Sequence, residues 1–168
     1  FVERICEFLK PGTGKAAIVL PDGILTNSSS QYVRDFILER FQLLAVVSLP
    51  QCAFAHFGAG VKASIIFVRK RGNDEVANNE EAIFMAAPEL IGYDATGRKT
   101  ESQLDEIVEQ YKEFLEDPTP FFFLPPAQMS FVLLRSNGGT LVKELILTTI
   151  YQNILSWIKN YTLFLERS

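Results

Sequence analysis

Residues 51–62 read QCAFAHFGAGVK, and the residue types in this stretch could do chemistry together. Phe54 and Phe57 could stack on a planar ring, as aromatic side chains do on unpaired nucleic-acid bases. Lys62 could pair with a phosphate, and His56 is the only histidine of the chain. Gly58 and Gly60 let a backbone pass close to a ligand, or simply turn sharply. The plain alternative is that both rings plug the end of a sheet, and the local residues leave both readings open. A second candidate is Asp22, which follows Pro21 at the end of an apolar run. Such strand ends are where α/β sheets place functional groups, although Pro-Asp-Gly is also an ordinary turn. Gly12-Thr13-Gly14-Lys15 superficially suggests a phosphate loop, but it precedes a strand-like run, so no helix N-terminus would face an anion. It reads better as a helix-to-strand turn. Signatures such as G-x-G-x-x-G, G-x-S-x-G, H-E-x-x-H and Asn-Pro-Pro-aromatic do not occur.

The composition bounds what these residues can serve. With 168 residues, 48% of them hydrophobic, one domain with a sizeable core is expected, with or without an appendage. Residues 1–72 carry nine Lys/Arg against five Asp/Glu, and residues 73–168 carry seven against fifteen, so the halves stand at +4 and −8. The first could face a polyanion and the second would repel one. Cys6 and Cys52 make neither a disulfide framework nor a metal-ligand spacing, and read as reduced core residues of a cytoplasmic protein. No signal peptide is evident, and no apolar run reaches the roughly 18 residues of a membrane span. The chain begins at Phe1 rather than Met and is expected to be cut from something longer.

The elements that must position the loop follow from periodicity and punctuation. FVERICEFL (1–9) predicts a helix with Phe1, Ile5 and Phe8/Leu9 on one face, stopped at Lys10-Pro11-Gly12. AAIVL (16–20) predicts a strand buried on both faces, ended by a turn at Leu20-Pro21-Asp22-Gly23. Ser28 with Gln31 has capping-box spacing before a helix to about Phe41, with Val33, Phe36, Ile37 and Phe41 inward. LLAVVSLP (43–50) and ASIIFVRK (63–70) are two further strands. The loop between them, about twelve residues without a helix, favours an antiparallel pair. A polar, acidic linker runs to Glu81, and AIFMAA (82–87) is expected to add an edge strand. Residues 102–116 predict a helix begun by Ser102 and Asp105, with Leu104, Ile107, Val108, Tyr111 and Leu115 as its stripe. Residues 141–166 are helical in pattern, with a wide apolar face that needs a core or a partner to cover it.

LKPGTGKAAIVLPDGILTNSSSQYVRDFILERF, LLAVVSLP, FAHFGAGVKASIIFVRKR and IGYDATGRK, taken together, resemble the methylation (M) subunit of type I restriction-modification systems, a family of N6-adenine DNA methyltransferases. The similarity runs over about residues 1–116. LPDG, FG-x-G-x-K-x-S and GYDATGR in this order are its specific motifs, and Thr13-Gly14-Lys15 is a small departure from the family's Lys-Pro-Gly-Gly turn. The resemblance implies an α/β chain carrying part of a Rossmann-like class I methyltransferase fold, its fifth to seventh strands with the last pair antiparallel, followed by a mainly helical C-terminal extension. Residues 1–72 would be the C-terminal half of the methyltransferase domain, and 73–168 an edge strand and helical extension. It also implies methyl transfer from S-adenosylmethionine to an adenine amino group on a base flipped out of the duplex. The family's cofactor stretch and Asn-Pro-Pro-aromatic motif lie upstream of Phe1, so no cofactor is expected on this segment alone. Phe57 is the best match to the ring that stacks on the target base, with Phe54 the fallback, and His56, Gly58, Gly60 and Lys62 would line the loop against DNA.

Two functions of different classes follow. The chain is part of a DNA adenine methyltransferase, with DNA, a specificity subunit and in some systems a restriction subunit as partners. The alternative is a non-catalytic scaffold derived from an M subunit, docking through its last helix. The coding sequence upstream of Phe1 separates the two, since the cofactor and Asn-Pro-Pro-aromatic motifs belong there in an enzyme. Sheet edges left without neighbours would favour self-association of the isolated segment.

Overall fold

Residues 16–20 and 43–47 are apolar runs of the same kind, yet they end in different surroundings. The computed structural model describes residues 1–77, 81–119 and 130–134. Its elements are α1 (Val2–Phe8), β1 (Lys15–Pro21), α2 (Asp22–Thr26), a 3-10 turn at Ser28–Ser30, α3 (Gln31–Arg40), β2 (Phe41–Ser48), a second 3-10 turn at Ala55–Phe57, β3 (Ala63–Lys70), β4 (Ala82–Ala86), β5 (Ile91–Tyr93), β6 (Lys99–Ser102), α4 (Leu104–Glu116) and β7 (Ser130–Leu134). Five strands form one sheet in the order β1-β3-β2-β4-β7, and β5 and β6 form a separate hairpin. β3 lies between β1 and β2 and is antiparallel to both. The β2–β3 connection is therefore the antiparallel hairpin expected from the length of its loop. The expected mixed α/β architecture is present. The described part of residues 73–134 holds four strands and one helix, whereas the expected helix at 141–166 and the run at 121–126 lie outside the described residues.

Two apolar clusters lie on the two faces of the sheet. One joins Ile18, Leu20, Leu43, Val46, Ile66, Val68, Ile83 and Met85 to Ile37 of α3, with Val2, Ile5, Cys6 and Leu9 of the first helical segment packed on it. The other joins Ala45, Val47, Phe84 and Ala86 to Ile107 and Phe114 of α4. Within β2 the two sets change over at a register shift between Leu43 and Ala45. The extra residue there reverses the alternation, so Phe41 and Leu43 share a face with Val46 rather than with Ala45.

Several expectations are corrected. β1 is buried on one face only: Ile18 and Leu20 are covered, whereas Ala17 is exposed and Val19 is 51% exposed. The helices cover one side of this outer strand, and no described element covers the other. AIFMAA is not an edge strand. β4 runs parallel to β2 on one side and antiparallel to β7 on the other, so the two parts distinguished in the sequence share one sheet. On α1 the packed residues are Val2, Ile5 and Cys6, while Phe1 and Phe8 are exposed. On α4 the buried positions are Ile107 and Phe114, and Val108 and Leu115 face outward. An apolar set that wide allows two faces, and the ring of Phe84 selects one by packing against Tyr111 at 5.3 Å and Phe114 at 5.5 Å. Neither predicted capping box forms in full, although the Leu104 amide donates to Ser102 Oγ at 3.3 Å. Ser30 caps α3 and Gln103 caps α4, neither through a side-chain bond. Gln31 instead bonds Asp35 and Arg34.

The acidic linker is also less free than its composition suggests. Arg71, whose side chain is 3% exposed, holds Glu81 with two bonds of 2.6 and 2.7 Å. Arg69 holds Glu75. This partner and the Gly72 amide depress the Glu75 carboxyl to a pKa of about 2.

Candidate functional site

The aromatic loop rises from the end of β2, where Leu49 donates its amide to the Ala63 carbonyl at 3.1 Å. Its first half is built inward. Ala53 is buried, and Phe54 packs against the cluster formed by β2, β4 and α4. Its second half turns outward as the 3-10 helix Ala55–Phe57, closed by Gly58 at φ +79°, a left-handed conformation that a side chain would strain. The Phe54 carbonyl accepts from the amides of Phe57 and Ala59, and Gln51 Nε2 donates to the Gly60 carbonyl at 2.6 Å. Phe57 is left at the crest, 73% exposed, with the imidazole of His56 edge-on to its ring at 4.9 Å. A methyl group added at Gly58 or Gly60 would meet nothing within 4 Å, so the flank of the loop is open.

The two rings therefore separate. Phe54 is partly buried against the core, and Phe57 is the more exposed ring of the pair. Lys62, expected as a phosphate contact, sits with its ammonium 3.6 Å from Asp22 Oδ2. Ser64 Oγ donates to the other carboxylate oxygen at 2.8 Å, and the Asp22 amide donates to the Lys62 carbonyl. Pro21 ends β1 opposite Ala63, and Asp22 opens α2 instead of forming only a turn. The rim residues Asp22, Lys62 and Ser64 thus tie the end of β1 to the start of β3.

The glycine turn at 12–15 is a helix-to-strand connection. The amides of Gly12 and Gly14 donate to the Lys70 and Lys10 carbonyls, and the Gly14 carbonyl accepts from Lys70. These groups are spent on the chain itself, not on an anion. The positive excess of residues 1–72 is likewise partly internal. Arg34, Lys62, Arg69, Lys70 and Arg71 are all engaged by carbonyls, carboxylates or amide oxygens. Burial lowers the pKa of Arg34, whose guanidinium bonds the Ile24 and Asn27 carbonyls at 2.8 Å.

Sequence reasoning missed the residues that brace the loop from outside. Tyr93 Oη donates to the Ala53 carbonyl at 2.9 Å, and the His56 ring lies over Gly97. Both belong to GYDATGR, which marks a turn but gives no sign of what the turn touches. Within it Asp94 Oδ1 accepts from the Thr96 amide, the Thr96 hydroxyl and the Arg98 amide, with the Thr96 hydroxyl foremost in lowering its pKa. Among the described residues, no three His, Cys, Asp or Glu side chains are grouped to hold a metal, and no helix is long and apolar enough to cross a membrane.

A family model described as N-6 DNA methylase matches residues 1–127. A chain from a structure of a type I R-M system, described for its complex assembly and conformational transition, matches with a TM-score of 0.54 and 22% identity, over 100% of this chain and 39% of that one. The type I restriction-modification system methyltransferase subunit from Streptococcus thermophilus matches with a TM-score of 0.53 and 18% identity, over 83% of this chain and 25% of that one. This chain thus spans well under half the length of either. The two structures share its fold, and the family match falls on the segments that carry the resemblance to M subunits. The chain belongs to the N-6 DNA methylase family.

Proposed function

We propose that this chain forms one wall of the target-base site of a DNA adenine-N6 methyltransferase of the type I restriction-modification kind, with Phe57 stacking on the flipped adenine. The observation that carries this reading is a large apolar ring, 73% exposed, at the crest of a loop whose base is packed and hydrogen-bonded. Such exposure gains nothing for folding, whereas a flipped base needs a face to stack on. Gly58 and Gly60 leave the flank open to the nucleotide, and His56 supports the ring from the side. Lys62, held by Asp22, acts first on loop geometry and only then on a phosphate. S-adenosylmethionine, when bound, supplies the methyl group. The Asp22 carboxylate at the end of β1 is already engaged by Ser64 and Lys62, and no cofactor is expected to bind this chain alone. Calorimetry of the 168-residue chain with S-adenosylmethionine is expected to show no binding heat. Measurable binding overturns that assignment.

In this reading the enzyme acts in the cytoplasm with a specificity subunit, and in some systems a restriction subunit, as the resemblance to M subunits implies, and the similarity in fold to two structures of type I systems supports it. For the isolated chain, exposed Val19 and Phe67 on the uncovered side of β1 and β3 support self-association.

The test is Phe57→Ala in the complete methyltransferase. Base–aromatic stacking is worth about 1–3 kcal/mol, and about 1.4 kcal/mol is tenfold in rate. Methyl transfer is therefore expected to fall about ten- to hundredfold, with thermal stability nearly unchanged. An unaltered methylation rate rejects Phe57 as the stacking ring.

A further inference from the structure

Phe57 receives little packing of its own, so its orientation is inherited from its neighbours. His56 meets the Phe57 ring edge-on, and His56 in turn rests on Gly97. A Cβ placed on Gly97 would lie 2.6 Å from His56 Cε1 and Nδ1 and 2.9 Å from Nε2, closer than atoms can approach. Gly97 also sits at φ +81°. Four residues before it, Tyr93 fixes the inner half of the loop through the Ala53 carbonyl. The turn that carries Gly97 is stiff, because Asp94 Oδ1 accepts three hydrogen bonds from Thr96 and Arg98. The hairpin as a whole is seated by buried Ile91 and by Gln103 Oε1, which accepts from the amides of Glu89 and Leu90.

We infer that the β5–β6 hairpin is a positioning device for the aromatic loop, with Tyr93 anchoring its inner half and Gly97 seating His56 so that Phe57 is offered to the flipped base in one orientation. This rests on the reading of Phe57 as the stacking ring. The hairpin touches the loop at Ala53, before the 3-10 turn, and at His56 within it. Removing either contact leaves the ring in place but free to point elsewhere. A side chain at Gly97 forces the imidazole to swing away, because a ring at the end of a rotatable side chain yields before backbone does.

Gly92 provides the matched control. It has a positive φ of +93° in the same hairpin, but a Cβ there would meet only Ser102 Cβ at an ordinary 3.7 Å. Gly92→Ala therefore strains the hairpin without touching the loop, and Gly97→Ala does both. In the complete methyltransferase, Gly97→Ala is expected to lower kcat on adenine-containing DNA about tenfold or more, as misplaced catalytic geometry does, and to lower similarly the fluorescence rise of base flipping on a duplex with 2-aminopurine at the target position. DNA affinity is expected to stay within about twofold of the parent, and the Gly92→Ala enzyme is expected to lose several-fold less kcat than Gly97→Ala. Tyr93→Phe, which removes one hydrogen bond, is expected to cost about fivefold in kcat. In the complete enzyme the Hε1 proton resonance of His56, identified by its loss in a His56→Gln variant, reports the loop. It should move in Gly97→Ala and hold in Gly92→Ala. Equal losses for the two glycine variants, or a moved His56 resonance with unchanged kcat, overturn the positioning role. If Gly97→Ala fails to fold, Tyr93→Phe decides, and an unchanged kcat there overturns it. If Phe57→Ala leaves methylation intact, the stacking reading falls by itself, and the His56 resonance still decides whether the hairpin seats the loop.

Discussion

The two sides of the sheet differ more than their sequences do. At the β2–β4 side, Ala45, Val46 and Val47 are buried on both faces, and Phe84 is 1% exposed beneath α4. At the β1 side, Ile18 and Leu20 are covered by helices while Ala17 and Val19 stand open beside the partly exposed Phe67, which pairs with Ala17 across the strands. An apolar run thus predicts a strand but not how many of its faces are covered. That depends on which strand lies next to it and on whether a helix crosses above. The aromatic loop joins these two regimes, since Phe54 belongs to the sealed side and Phe57 to the solvent.

The largest effect should come from the sealed side. Phe84→Ala removes the ring that selects the buried face of α4, and large-to-small changes at such sites cost about 3–5 kcal/mol. Urea denaturation should show this loss, and a change below about 1 kcal/mol would mean that α4 is not packed by Phe84. Val19→Lys on the open side should change stability by less than about 1 kcal/mol. It should also reduce concentration-dependent association in sedimentation. A full-sized loss of stability at Val19 would break the contrast between the two sides.

An intermediate effect is expected where the linker closes over the sheet. Glu81→Ala removes the bidentate partner of Arg71 and leaves its buried guanidinium with Glu75, 3.7 Å away, so the loss should stay below the roughly 3 kcal/mol of an uncompensated buried charge. The same substitution with Arg71→Met should recover much of the loss, because two absent charges need no pairing. If the single variant is as stable as the parent, the pair is exposed in solution and the linker is as free as its composition suggests.

Most helix and strand positions in residues 1–116 were legible because their periodicity and punctuation are local, but α2 and the β5–β6 hairpin, where only turns were expected, were not. The β2–β3 hairpin was legible from loop length. What escaped is set by distant neighbours. The face of α4 was misjudged because Leu104, Val108 and Leu115 offer a plausible stripe until Phe84 chooses another. AIFMAA looked like an edge because its second partner, β7, lies far along the chain. Neither phenylalanine of the loop could be favoured from local residue types alone, because packing against β4 and α4 separates them. The role of Tyr93 and Gly97 as supports was invisible, since the contact joins residues 40 apart.

The smallest effect tests the outer edge of the linker network. The Glu75 carboxyl is lowered from 4.5 to about 2, first by its bond to Arg69 and then by the Gly72 amide. A carboxyl whose pKa is depressed in the folded state stabilises fully above its unfolded pKa, and that contribution fades as pH falls through the folded value. The stability difference between the parent and Glu75→Gln should therefore be constant above about pH 5. It should shrink as the pH falls from 4.5 towards 2. Glu75 lies at the surface, so added salt should diminish the difference, whereas the Arg71–Glu81 pair beneath it should respond little. A difference that ignores both pH and salt would show that Glu75 acts by packing alone, and the ionic layer of this linker would then reduce to the one buried pair.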